Sequence, residues 1–216
     1  MKQFAVIGCG RFGSAVAKNL YKNGYDVLAI DENPEIVQSI SEHVTHSASL
    51  DVKDEHALRA VGMRNIDVAI IAIGSEIKSS ILATLVVKEL GVKYVVAKAQ
   101  DELHAKVLYK IGADRVIFPE RDMGVRLAYN LTSTNILDYI ELAPNYSIME
   151  IVTPGKWIGR TLEETDVRAK FGLSVLAIKH GEKVIVSPYA QEVIQRGDVL
   201  VVVGKNEDLQ RVREKV

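Results

Sequence analysis

Three glycines, Gly8, Gly10 and Gly13, with Arg11 between them and an acid at Asp31, are the residues whose types and spacing point to chemistry. Gly8-Cys9-Gly10-Arg11-Phe12-Gly13 follows directly on the apolar run Phe4-Ala5-Val6-Ile7. In a G-x-G-x-x-G turn the first glycine bends the chain and the second lets a pyrophosphate approach the backbone. The third packs a helix against a strand. Freed amides and the positive end of the helix dipole then hold phosphates. Asp31 closes a second apolar run, Asp26 to Ile30. A carboxylate there accepts both hydroxyls of an adenosine ribose and repels a 2′-phosphate, which excludes NADP. The chemistry is adenine-nucleotide binding. Its alternative is a Rossmann unit with a vacated pocket and Asp31 as a turn acid ahead of Glu32-Asn33-Pro34.

Other candidates carry two readings each. Arg11 is a cation in the first turn of a helix, the wrong end of the dipole. It reads either as a partner for a polyphosphate or as a solvated surface arginine. Asp51 follows the third strand and marks the adenine edge or caps the next helix. Glu120, in Pro119-Glu120-Arg121-Asp122, is either ordinary early-helix dipole chemistry or a carboxylate at the crevice mouth, near phosphates or a divalent cation. Cys9 is a small residue at a free motif position, or a redox-sensitive thiol near a helix N-terminus. His43, His46, His56 and His104 show no partner pattern, His180 sits beside a hairpin turn, and there is no metal cluster, G-x-S-x-G or Walker-type Gly-Lys-Ser/Thr. A dehydrogenase would need a substrate domain with a general acid or base. These absences favour a nucleotide sensor over a catalyst.

The elements that must position these residues are legible. Short β-branched runs at 3–7, 26–30, 43–47, 67–73, 94–98 and 115–118 alternate with helical patterns near 11–23, 34–42, 53–61, 76–90 and 101–111. That is a parallel sheet covered on both faces, the six-stranded Rossmann arrangement, with its crevice at the carboxyl ends of the first and fourth strands. The fourth strand runs into Gly74-Ser75, where backbone can approach a ligand from the far side. Gly24, Gly62, Gly91 and Gly112 sit where C-cap glycines belong, and Asp101 fits an N-cap. After about residue 135 the pattern becomes a small α+β lobe. Its strands are expected at 136–141, 147–152, 173–179, 183–187 and 198–203, with a turn at Pro144-Asn145. A short helix is expected near 164–170, a hairpin turn at Gly181-Glu182 and a last helix at 206–214. The expected division is 1–134 and 135–216. The second part is small for a self-sufficient core, so pairing with a copy of itself is expected.

The chain has 216 residues, 48% of them hydrophobic and 25% charged, with a net charge of −1. No basic domain or stripe suggests nucleic acid. The single cysteine fits a reducing cytoplasm. No secretory signal or membrane-length apolar segment is read, so a soluble cytoplasmic protein is expected.

The opening FAVIGCGRFG resembles that of RCK (KTN) domains, the cytosolic regulatory subunits of Ktr and Trk potassium transporters, and is closest to the KtrA type. The resemblance continues through Gly62-Met63-Arg64-Asn65-Ile66-Asp67, Ala72-Ile73-Gly74, Val96-Ala97-Lys98-Ala99-Gln100 and Lys110 to Ile117. It extends over Phe118-Pro119-Glu120-Arg121-Asp122-Met123-Gly124, Asp166 to Gly172 and Val186-Ser187-Pro188, in order over essentially the whole chain. It implies self-association to dimers and an octameric ring beneath a membrane-embedded potassium-translocating subunit. It also implies ATP or ADP, or in some members NAD or NADH, as the ligand that changes ring shape. Arg11 would reach the terminal phosphate across a dimer interface, and Glu120 would engage Mg2+ or another divalent cation there. The implied nucleotide-binding set is Gly8, Gly10, Arg11, Phe12, Gly13, Asp31 and Glu32, joined by Asp51, Val52, Ala72, Ile73, Gly74, Lys98 and Glu120. In some lineages the second lobe binds cyclic di-AMP, which would fall on Arg168, Ala169, His180 and Pro188. The implied function is gating without turnover, peripheral on the inner face of the cell membrane. The alternatives are an NAD(H)-dependent oxidoreductase or NADH sensor and, more remotely, a redox repressor with a Rossmann core.

Overall fold

Alternation along β1 (Gln3–Ile7) explains the first layer: Ala5 and Ile7 enter one core, Val6 the other, and all three are fully buried. The computed structural model describes residues 2–74, 76–132 and 136–215. After β1 come α1 (Arg11–Lys22), β2 (Asp26–Asp31), α2 (Pro34–Ile40), β3 (His46–Ser49), α3 (Glu55–Ala60), β4 (Val68–Ile71), α4 (Ile77–Glu89), β5 (Tyr94–Lys98), α5 (Glu102–Lys110) and β6 (Arg115–Ile117). The strands form one parallel sheet ordered β3-β2-β1-β4-β5-β6. Order reverses between β1 and β4, so their carboxyl ends open a crevice at the switch point.

Local signals set most boundaries. Asn33 accepts the Glu35 amide at 2.9 Å with Pro34 in the first turn, Asp54 accepts that of Ala57 at 3.1 Å, and Asp101 that of His104 at 2.8 Å. Gly24, Gly62, Gly91 and Gly112 all have positive φ, as the expected helix ends require. The third strand begins later than expected. Residues Ser41–His43 form a 3-10 turn continuing α2, and the strand is His46–Ser49. Strand propensity at Val44 and Thr45 lost to the helical turn that precedes them.

The second unit contains α6 (Pro119–Thr132), β7 (Ile136–Ala143), β8 (Tyr146–Val152), α7 (Leu162–Thr165), α8 (Val167–Phe171), β9 (Ser174–His180), β10 (Lys183–Val186), β11 (Val199–Lys205) and α9 (Asn206–Lys215). Its sheet is antiparallel, ordered β10-β9-β11-β8-β7. The single helix expected near 164–170 is two, because Asp166 adopts φ 49° and ends α7 before α8 starts. One sheet face, with Met149, Ile151, Ile178, Leu200 and Val202, builds the core together with Leu209 and Val212 of α9 and with Trp157, whose ring lies 5.7 Å from that of Phe171. Compact units divide between Pro119 and Glu120, which puts α6 with the second unit. The boundary expected at 134–135 falls on Thr134 and Asn135, outside the described residues.

Candidate functional site

The glycine turn shows which of its glycines the protein itself requires. Gly8 has φ 90°, and a Cβ there would stand 2.9 Å from the Ile73 amide nitrogen. A Cβ on Gly13 would stand 1.9 Å from the Gly8 carbonyl oxygen. A Cβ on Gly10 would meet nothing within 4 Å, and the Gly10 backbone is extended with φ −63°. Two glycines are therefore demanded by packing. The third borders open space, as expected where a ligand's phosphates approach the backbone.

Asp31 ends β2 and is 9% exposed. Its Oδ2 accepts the Cys9 amide at 2.7 Å and its Oδ1 the Asn33 amide at 2.9 Å. The carboxylate thus ties the glycine turn to β2, a duty the sequence did not reveal. Each oxygen retains a further acceptor site for a ribose hydroxyl. Above it, α1 starts with amides that have no intrahelical acceptor and with no acid in its first turn. Arg11 is exposed at that start. Opposite, Ala72 is buried and its amide donates to the Ile7 carbonyl at 2.7 Å. Ile73 packs into the core, and Gly74 leads out of β4. Ser75 lies outside the described residues.

Lys98 at the end of β5 joins the two lips. Its Nζ lies 6.0 Å from the centre of the Phe12 ring and 3.0 Å from where a Cβ on Gly74 would be. A cation so placed faces the same crevice as the α1 amides. Gln100, not singled out in the sequence as a site residue, donates its side-chain amide to the Gly74 carbonyl.

Other expected residues lie differently. Asp54, not Asp51, caps α3; the exposed Asp51 instead accepts the Lys53 amide at 2.9 Å in a turn of its own. Val52 is buried in the core, so its side chain packs. Glu32 is exposed, and its carbonyl accepts the Ser49 hydroxyl at 3.2 Å. Glu120 belongs to the second unit, in the first turn of α6. Among the described residues no three His, Cys, Asp or Glu side chains are grouped to hold a metal ion. Arg168 and Ala169 are exposed on α8, His180 ends β9, and Pro188 lies in the loop after β10. His180 Nδ1 is 2.6 Å from Asp198 Oδ1, a carboxylate only 2% exposed. No local spacing announces that pair, since the two residues lie 18 positions apart.

Cys9 is buried, and its thiol is pushed up to about 12, by burial first and then by the Asp31 charge, against a weaker bond to the Ile30 carbonyl. The thiolate fraction at mildly alkaline pH is then roughly a thousandfold below that of a thiol titrating at 9.0. The folded protein is expected to resist an aromatic disulfide reagent that labels it at once in denaturant. Rapid stoichiometric labelling of the native chain would restore the redox reading of Cys9.

The TrkA-N domain family matches residues 4–119 and the TrkA-C domain family residues 147–216. Ktr system potassium uptake protein C of Bacillus subtilis (strain 168) is 46% identical over 215 residues, covering 100% of this chain and 97% of its own. The chain belongs to the TrkA-type family of Ktr potassium uptake proteins. Ktr system potassium uptake protein A of the same organism is 43% identical, covering 97% of this chain and 95% of its own. The fold agrees with that of the GsuK RCK domain, at a TM-score of 0.70 and 18% identity over 99% of this chain and 47% of the other. GsuK bound to ADP matches 60% of this chain and 33% of its own, at a TM-score of 0.52 and 26% identity. This chain thus spans less than half the length of either solved structure. For this Ktr-family chain, a Rossmann sheet followed by a small antiparallel lobe is the expected architecture, and a part in potassium uptake is the role its relatives carry.

Proposed function

We propose that this chain is a cytosolic, nucleotide-sensing regulatory subunit that gates a membrane-embedded potassium-translocating partner, without catalytic turnover. The observation that carries the reading is the open space at Gly10, at the start of α1 and next to the Cys9 amide that Asp31 holds, with Lys98 near Phe12 and Gly74 at the same switch point. The ADP bound to GsuK supports an adenine nucleotide there. Asp31 serves the ribose, the glycine turn and Lys98 serve the phosphates, and Arg11 serves the terminal phosphate of a nucleotide on a neighbouring copy. A second reading, NAD or NADH as ligand, is equally suited to Asp31 and the glycines.

A partner supplies the pore and holds this chain at the inner face, a reading supported by its Ktr potassium uptake relatives; no helix among the described residues is long and apolar enough to cross a membrane. Self-association, as dimers within an octameric ring, is supported by apolar surface. On α6, exposed Met123, Leu127 and Leu131 recur every four residues on the face headed by Glu120. Glu120 then stands at an interface between copies, where it would engage a divalent cation such as Mg2+. In the second unit Val184, Val186 and Tyr189 are exposed too. Cyclic di-AMP is proposed as a ligand of that unit through Arg168, Ala169, His180 and Pro188.

A ligand biases a two-state ring only by its differential affinity for the two shapes. Calorimetric titration with ATP, ADP, NAD and NADH, with and without magnesium, tests the reading. ATP is expected to bind more tightly than ADP, and Arg11→Ala to bring the two within about twofold of each other. Tighter binding of NADH, unaffected by Arg11→Ala, would favour the redox-sensing reading.

A further inference from the structure

The turn between β5 and α5 contains a device that the nucleotide reading does not use. His104 is 3% exposed on the inner face of α5. Its Nδ1 accepts the Gln100 backbone amide at 3.3 Å. That bond fixes the tautomer: Nδ1 carries the lone pair and Nε2 the proton. Nε2 is buried with no hydrogen-bond partner. The Gln100 side chain, on the same residue whose backbone the imidazole holds, donates to the Gly74 carbonyl at 2.5 Å. Gly74 is the lip of the crevice beside Lys98. A continuous path therefore runs from a buried imidazole through Gln100 to the loop that faces the ligand.

We propose that His104 and Gln100 are positioning residues for the nucleotide crevice, and that protonation of His104 weakens nucleotide binding as pH falls. The inference rests on the crevice being the nucleotide site. When a solvent proton is taken up at Nδ1, the ring loses its acceptor and points an N–H at the N–H of Gln100. The Gln100 backbone must turn away, and its side chain leaves the Gly74 carbonyl. A nucleotide that needs Gly74 and Lys98 in place binds the neutral form better, so binding and protonation oppose each other.

The surroundings of the ring favour its neutral form. Asp101, the cap of the same helix, draws a proton toward the ring, but its Oδ1 already accepts the His104 amide. From α4 the inward residues are Ser79, Ser80, Ala83, Thr84 and Val87, none of them ionised, while Lys78 is exposed and Lys88 is paired with Asp114. On the strands the charged groups are Lys98, half-buried at the end of β5, and Arg115, exposed at the start of β6. Burial lowers the His104 pKa below 6.5, with the Asp101 charge opposing. The sign follows: affinity is full near neutrality and is lost as pH falls through the lowered value.

The test is NAD affinity of the full chain between about pH 5 and about pH 8, a range in which the NAD diphosphate does not titrate and His does. Wild type is expected to weaken roughly fivefold toward acid, the worth of one hydrogen bond. His104→Asn keeps an acceptor in place of Nδ1 without titrating, and is expected to bind with no such slope. His104→Leu is expected to bind weakly throughout. Gln100→Ala, at an exposed side chain, is expected to lose the slope in affinity while keeping the acid loss of stability that His104 causes. A slope shared by wild type, His104→Asn and Gln100→Ala overturns this inference alone. Failure of wild type to bind any adenine nucleotide at any pH overturns it together with the nucleotide reading.

Discussion

Gly13→Ala is expected to destabilise the first unit by about 3 kcal/mol or more, whereas Gly10→Ala folds like wild type and loses the nucleotide. The difference is geometric. At position 13 the new methyl would lie 1.9 Å from the Gly8 carbonyl oxygen, a backbone atom that cannot swing aside. Relief would require α1 to lift from β1, exposing Val6 and Ala17, which are now fully buried. At position 10 the methyl would meet no protein atom within 4 Å, and φ −63° suits alanine. It would instead occupy the space where phosphates approach the α1 amides. Urea unfolding and calorimetry with ADP separate the two effects. A stable Gly10→Ala chain that binds ADP like wild type would remove the glycine turn from the site.

Asp31→Ala is expected to lower both stability and affinity, because one carboxylate holds the turn and faces the ligand. The Cys9 and Asn33 amides would lose their acceptor in a place only 9% exposed. The cost is about 2 kcal/mol of stability. Losing charged acceptance of the ribose hydroxyls should weaken ADP binding roughly 100-fold, since hydrogen bonds to ionised groups are the strong ones. Asp31→Asn keeps one carbonyl acceptor but turns an amide toward one of the two N–H groups, so it falls between. The readouts are the urea midpoint and the ADP dissociation constant. If stability drops and ADP affinity does not, Asp31 is a tether of the turn and nothing more.

Much of this was legible because its causes are local. Apolar alternation, capping residues and positive-φ glycines act within a few positions of themselves, so β1, β2, β5, α1 and α5 lie within a residue or two of where their residues point. The G-x-G-x-x-G turn and the acid after β2 likewise belong to one βαβ unit, and the family resemblance rests on such runs. Local evidence failed where two signals competed. Val44 and Thr45 favour a strand, yet the helical turn at Ser41–His43 delays β3. Asp51 and Asp54 are both good caps, and only the backbone path selects Asp54.

The sequence by itself determined the Rossmann order, the glycine turn and the acid at Asp31, since each follows from residue type and short-range spacing. Tertiary structure alone decided the distances behind those glycine roles, 1.9 Å from a Cβ on Gly13 to the Gly8 carbonyl oxygen and open space within 4 Å at Gly10. The same holds for the tether from Asp31 to Cys9, the reach of Lys98 to Phe12, the closure of His180 on Asp198 and the link from His104 through Gln100 to Gly74. Most of these join residues 18 or more positions apart, or depend on an atom of a neighbouring strand, and no periodicity along the chain encodes such distances.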